Sequence, residues 1–436
     1  MIRILASTLI CFASLPMLSP AQTHQSTPNL PRENYKFNFE ITESKPGIIN
    51  IDSSVKYGNL PYGYDLIEAP KSSPSDKPFY FSVDVPDGNY WVKMELGNNK
   101  SATQTTIRCE SRRLLFERVA TAEGKFKTIT FVVNKRNKYF GHDSVRIKPR
   151  ETTKLNWDDK LTFEFNGSAP AIRTIEIAKL NNRITTVYLC GNSTVVDQEN
   201  EPWASWGQMI PNFFNKKVSF ANYAESGEAS NSFIQAKRLD KILSLIKPGD
   251  YLLVEFGHND EKQTGADKGA YKHFTKNLKI YIDEARKRGA IPVLLTPTQR
   301  RLFEHGKLKN THGEFPQAVR DLADQEQVPV IDLTSMTTDL FQALGEESSK
   351  KALVHYPQGT FPGQEKAFAD NTHFNAYGAY QVARCVVKGL IDNKIKLSKM
   401  LRKDYEKSYN PKKPDDPESF QWENSPFVEI QKPDGN

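Results

Sequence analysis

The period of the apolar residues changes near residues 181–184, and this switch limits the fold more than any other feature of the chain. From about Phe37 to Leu180 apolar and polar residues alternate. In "YFSVDVPDGNYWVKMEL" (80–96), Phe81, Val83 and Val85 precede "PDG", and Tyr90, Val92 and Met94 follow it. That pattern predicts half-buried strands joined as a hairpin. "KTITFVVN", "DKLTFEFNG" and "IRTIEIAKL" repeat the rhythm, and no long amphipathic helix interrupts it. A β-sandwich of jelly-roll type is expected here. After "NNRI" the apolar runs become continuous: "TTVYLC" (185–190), "KVSFANYA" (217–224), "DYLLVEFG" (250–257), "AIPVLLTP" (290–297) and "VPVIDL" (328–333). Helical patterns lie between them, with Leu239, Ile242, Leu243 and Ile246 on one face and Phe274, Leu278, Tyr281 and Ile282 on another. Gly289 is placed to end the second helix. Buried strands alternating with helices predict a doubly wound parallel sheet, an α/β fold with ligands at the carboxyl ends of its strands.

A length of 436 residues fits two domains. Arg3, the apolar run Ile4–Leu18 and the small residues Ser19 and Ala21 predict a cleavable export signal over 1–21, hence a periplasmic or extracellular protein. The expected division is then a β-sandwich over 22–182, an α/β domain over 183–401 and a Pro-rich tail over 402–436, loose except where the apolar residues of "SPFVEIQKPDGN" dock on the body. The formal charge of +7 is scattered, which argues against nucleic acid and is compatible with a polyanionic substrate. No later segment is apolar enough to span a membrane. Cys109, Cys190 and Cys385 are far apart and odd in number, so buried free thiols are expected. A monomer is expected.

Four polar stretches carry the chemistry: "GNS" (191–193), "ESGEAS" (225–230), "GHND" (257–260) and "DNTH" (370–373). Each alone reads more readily as a turn or a cap than as a site. Together they hold every part of an acyl-transfer site. Ser193 is the nucleophile and needs a base. His373 supplies it, and Asp370, three residues earlier, orients the imidazole. The N–H groups of Ser193 and Gly227 and the amide of Asn259 are oxyanion donors. All these groups follow residue 185, so the second half is expected to act alone on small acetyl esters.

These four residues, in this order, resemble the signature of the SGNH, or GDSL-type, hydrolases over about 185–400. "GNSTV", "SWGQ" (205–208), "FGHND" (256–260), "TPTQR" (296–300) and "DNTHFNAYGA" (370–379) resemble the rhamnogalacturonan acetylesterase branch. The first half resembles galactose-binding-like β-domains through its strand rhythm, "FNFE" and "YGYDL". The resemblance implies a flavodoxin-like three-layer catalytic domain. It also implies removal of acetyl groups from pectin, most of all rhamnogalacturonan, through an acetyl-enzyme without a cofactor. The alternatives are an acetylesterase on another polysaccharide such as xylan, a lipid or aryl esterase, and a carbohydrate-binding protein with an inactive domain. The last arises because Asn192 stands where the family usually has Asp; Asn keeps the carbonyl acceptor and loses the charge.

Other residues weigh less. His258 lacks second and third ligands at metal spacing, so no metal is expected. Trp203 and Trp206 share a helical spacing with Ile210 and Phe213, which predicts core packing. Tyr356 and Phe361, in the loop 355–368, are candidate substrate-rim residues. Arg300 and Arg301 are candidates for galacturonate carboxylates, with a solvated face as the equal alternative.

Overall fold

The computed structural model describes residues 32–40, 45–181, 184–406 and 409–434. The expected export signal and the junction at 182–183 lie outside the described residues. The first half contains two five-stranded sheets. One has the order Ile49–Asn50, Asn34–Asn38, Thr174–Lys179, Gly88–Gly97, Phe126–Lys135. The other has the order Tyr62–Asp65, Phe79–Asp84, Lys160–Ala169, Thr103–Cys109, Arg113–Thr121. Neighbours are antiparallel except Asn34–Asn38 with Ile49–Asn50. Tyr90, Val92 and Met94 from the first sheet and Phe81, Val83 and Phe163 from the second are fully buried in one apolar cluster.

The expected hairpin around "PDG" does not form. Phe79–Asp84 pairs with Lys160–Phe165, whereas Gly88–Gly97 pairs with Phe126–Lys135 and Thr174–Lys179. The turn carries the chain from one sheet to the other, and the two alternating apolar faces meet across the shared core instead of lying side by side. "FNFE" and "YGYDL" are part of that core: the Phe37 and Phe39 rings lie 5.0 and 5.1 Å from Phe81, and Tyr64 lies 5.9 Å from it.

The second half is built on a parallel sheet of order Val218–Asn222, Thr185–Cys190, Tyr251–Glu255, Ile291–Leu295, Val330–Ile331. Side-chain alternation feeds two cores. Val187, Leu189, Leu253 and Leu295 face a cluster with Trp206, Phe341, Val382 and Val386. Tyr188, Cys190, Leu252 and Val254 face one with Phe233, Leu278, Tyr281 and Ile282. Helices therefore cover both faces, with Thr275–Lys287 and Phe315–Gln325 on one side and Ala376–Asp392 on the other. The strand order reverses between Thr185–Cys190 and Tyr251–Glu255, the place where open α/β sheets bind ligands. The expected helix through Ile246 stops at Leu243, although Ile246 stays buried. Cys109, Cys190 and Cys385 are buried and unpaired. No helix among the described residues is long and apolar enough to cross a membrane.

The two halves interlock through buried charge. Arg113 donates to Asp197 Oδ2 at 3.0 and 3.1 Å, and Arg112 pairs with Glu201 at 2.5 Å. Arg150 and Lys154 pair with the buried Glu225, both at 2.9 Å. A truncated second half would lose these cationic partners, so a cost in stability is expected to accompany any activity it keeps on small acetyl esters. The tail docks on the body within "SPFVEIQKPDGN" and already at Trp422, ahead of that stretch. Trp422 stacks under Arg108 at 4.2 Å, the Ser425 hydroxyl reaches Glu164 at 2.7 Å, and Val428 bridges to Glu201. The Trp203 indole N–H donates to the Glu429 carbonyl at 2.9 Å. Paired polar groups and rings hold this segment, which is why it shows no hydrophobic period.

Candidate active site

Ser193 lies in the turn directly after strand Thr185–Cys190 and is almost fully buried. The turn is tied from within. The Asn192 carbonyl accepts the N–H groups of Val195 and Val196, both at 3.0 Å, and Asn192 Oδ1 accepts Thr194 N at 3.0 Å and Thr194 Oγ1 at 2.9 Å. Below it, Thr194 Oγ1 lies 2.8 Å from the buried Glu255, which also accepts the Trp206 indole N–H at 2.5 Å. Burial pushes the Glu255 carboxyl up to about 7. Gly207 packs so close that a Cβ there would meet the Val195 carbonyl at 2.0 Å. "SWGQ" thus supports the Ser193 turn: Gln208 accepts from the N–H groups of Gln198 and Ser205, each at 3.1 Å.

Asp370 and His373 lie in strand Phe368–Phe374, whose register against Leu353–Tyr356 shifts between the Phe374 and Ala369 pairings. In the resulting bulge the Asp370 carboxylate accepts the N–H groups of Thr372 and His373 at 2.7 and 2.9 Å. Its other oxygen lies 2.8 Å from His373 Nδ1, and His373 Nε2 lies 2.9 Å from Ser193 Oγ. Burial pushes the Asp370 carboxyl up, but the His373 ring and the two backbone N–H groups outweigh it and hold the group well below the usual carboxylate range. Asn375 caps the following helix by accepting Gly378 N–H at 3.1 Å.

Gly227 and Asn259 follow the strands on either side of Ser193's. Gly227 has φ of +79°, which L side chains rarely adopt. Among the described residues neither the Ser193 nor the Gly227 N–H has an acceptor in the protein. The Asn259 amide donates to the Glu228 carbonyl at 3.0 Å, which links it to the Gly227 loop. Asp260 ties the two loops together by accepting Ser230 N–H at 3.0 Å and Gly257 N–H at 3.1 Å.

Over 207 residues the chain is 42% identical to rhamnogalacturonan acetylesterase RhgT of Bacillus subtilis, an alignment covering 47% of this chain and 88% of that protein. Residues 181–386 match the family described as GDSL-like Lipase/Acylhydrolase. The chain belongs to the GDSL-like lipase/acylhydrolase family. It is a carboxylic ester hydrolase by that membership. This hydrolase is also 31% identical to the probable rhamnogalacturonan acetylesterase YesY of Bacillus subtilis, over 50% of its own length and 98% of the relative's. The uncharacterized esterase YxiM of the same organism aligns over 88% of this chain and 94% of its own at 25% identity, so the likeness there includes the β half.

The remaining expected residues of this GDSL-like hydrolase are placed as follows. Arg301 is buried and spends its guanidinium on Ser349, Asn371 and the Glu346 carbonyl. It supports the Asp370 bulge and is not free for a sugar. Arg300 is paired with Glu261 at 2.5 Å and donates to the His258 carbonyl. Tyr356 and Phe361 do not touch Ser193. They begin a row of rings, Tyr356–Phe361–Phe368–Trp203–His373, with successive centroids 5.0, 6.3, 5.7 and 5.7 Å apart. Trp203 and Trp206 are buried as expected. Burial and the neighbouring His312 and Arg300 push the His258 imidazole well below its ordinary value. Glu255 and Asp197 support the site but carry no local signal, since each acts through partners distant in sequence, Thr194 and Trp206 for Glu255 and Arg113 and Asn222 for Asp197.

Asn192 uses only its carbonyl oxygen, and its amide nitrogen is buried without a partner. Asp fits the same bonds. Its charge would sit across Thr194 from Glu255, which can answer by keeping its proton. Asn192→Asp is therefore expected to change kcat/KM by less than about tenfold, roughly 1.4 kcal/mol of barrier. Steady-state kinetics on an aryl acetate check this; a gain of several orders of magnitude would mean the natural turn is crippled.

Proposed function

We propose that this hydrolase removes acetyl groups from pectic polysaccharide, rhamnogalacturonan above all, with Ser193 as nucleophile. The single observation that carries the mechanism is the ordered contact of Ser193 Oγ, His373 and Asp370 at 2.9 and 2.8 Å. His373 Nε2 takes the serine proton as Oγ attacks the acetyl carbonyl, and Asp370 holds the ring through Nδ1–H. The developing oxyanion meets the Ser193 and Gly227 N–H groups and the second amide hydrogen of Asn259. His373 then returns the proton to the departing sugar oxygen. Water, activated by the same imidazole, clears the acetyl-enzyme.

The acetylated pectic substrate rests on the likeness to RhgT and YesY. We read residues 1–21 as an export signal, which suits a polymer found outside the cell. The two sheets sharing one core support a β-sandwich of jelly-roll, galactose-binding-like type as an accessory domain. The test is acetate release from acetylated rhamnogalacturonan and acetylated xylan, with Ser193→Ala as control. Faster release from xylan would replace the substrate, and equal release by the control would replace the nucleophile.

Asn259→Ala is expected to lower kcat by roughly 10²–10³ with little change in KM, because the lost donor acts mainly on the transition state. An unchanged kcat on an aryl acetate would remove Asn259 from the oxyanion site.

A further inference from the structure

Beside Gly227 lies a cavity of about 400 Å³ shared by three parts of the chain. The first half contributes Arg150 and Lys154, the Ser193 side contributes Gln198 and Trp203, and the C-terminal segment contributes Lys432 and Asp434. It adjoins the site directly. Gln198 donates to the Ser193 carbonyl at 3.1 Å, Trp203 meets His373 edge-on, and Lys432 Nζ lies 3.3 Å from Asp370 Oδ2. A Cβ on Gly227 would come within 2.9 Å of the Asp434 side chain.

Around this cavity Lys148 pairs with Glu228, Arg150 and Lys154 pair with Glu225, and Glu199 and Glu429 also line it. One edge of the Arg150 guanidinium is spent on Glu225 Oε1, at 3.2 and 2.9 Å, and on the Ser226 carbonyl at 2.7 Å. The remaining nitrogen, Nη1, meets the Asp434 carboxylate. Asp434 is 59% exposed, so water and salt weaken this pair, and another carboxylate can displace it at little cost.

We propose that the cavity is a carboxylate subsite. Arg150, with Lys432 nearby, binds the carboxylate of an acidic sugar flanking the acetylated residue, and Asp434 holds that place until polymer arrives. The proposal rests on the reading of the substrate as an acidic polysaccharide. It assigns the first half and the C-terminal segment a part in specificity.

The test is calorimetric titration of the full-length protein with a deacetylated rhamnogalacturonan oligosaccharide and with its carboxyl-reduced counterpart. The wild type is expected to bind the acidic form about tenfold more tightly, as a charge-assisted Arg–carboxylate contact allows. Arg150→Gln should bring the two affinities together. Asp434→Asn should tighten the acidic form about three- to tenfold, because the competing occupant is gone, and leave the reduced form unchanged. Equal affinities in the wild type, a preference that survives Arg150→Gln, or no gain in Asp434→Asn overturns the subsite. Because binding needs no turnover, hydrolysis of an aryl acetate by the same preparation reports separately on the esterase reading.

Discussion

Asp370→Asn lowers kcat by about 10⁴ while the fold stays intact; this is the largest functional effect expected from a single side chain, and the reason is the position of one proton. Asp370 Oδ1 can be replaced by the Asn carbonyl, which keeps the Thr372 and His373 N–H groups at 2.7 and 2.9 Å. The other oxygen becomes an NH₂ facing His373 Nδ1. The ring must then accept there and carry its proton on Nε2, toward Ser193, where an acceptor is needed. KM should move by less than threefold, since substrate contacts are untouched. Asp370 is held below the usual carboxylate range, so it stays charged as pH falls into the acid range and its support for the fold is lost only as pH drops through that depressed value. The acid limb of the wild-type rate profile is therefore not expected to come from Asp370. Kinetics on an aryl acetate from pH 5 to 9, with thermal melts alongside, check the expectation. A loss under tenfold would place the ring's orienting partner elsewhere.

Arg113→Met is the largest expected effect on stability, about 3–5 kcal/mol, the usual cost of breaking a buried ion pair from one side. Arg113 and Asp197 are both essentially inaccessible. Among the described residues the substitution leaves Asp197 hydrogen-bonded to the amides of Asn222 at 2.7 Å and Asn156 at 3.3 Å, with the buried Arg136 as its remaining nearby cation. Asp197 ends the turn that begins at Ser193, so activity should fall with the folded fraction. Arg113→Met combined with Asp197→Leu should recover part of the loss, because the penalty is an unpaired charge more than a missing attraction. Urea melts of the single and double variants decide it: a single-variant cost under 1 kcal/mol, or a double variant no better than the single, would sink the account.

What was legible in the sequence was local. A strand that ends on "GNS", a strand that ends on "FGHND" and an Asp–His pair three apart are each readable within a few residues, and the parallel order of the sheet then places their loops side by side. The period of two in the first half was equally readable. The hairpin misreading had a different origin. Which sheet a strand joins depends on partners such as Lys160–Phe165, some eighty positions away from Phe79–Asp84. The docking of the tail was legible only as an option, because Arg108, Glu164 and Glu201 hold it and no pattern within residues 402–436 names them. Arg300 and Arg301 follow a strand end, and charge and position there fit a sugar carboxylate and a solvated face equally. Neighbours only the fold supplies, Glu261 for one and Asn371 for the other, consume that charge.

The docking of Trp422, Ser425 and Lys432 bears on the order in which the working site is assembled. Their partners Arg108, Glu164, Glu201 and Asp370 all precede them along the chain. Synthesis runs from the amino end, and earlier parts of a chain generally fold as they emerge. Both sheet systems and the Ser193–His373 contact can therefore be in place while one side of the cleft is still missing. Under the proposed function, the Ser193 side of the cleft can then form before the segment that brings Lys432 and Asp434 to the proposed carboxylate subsite.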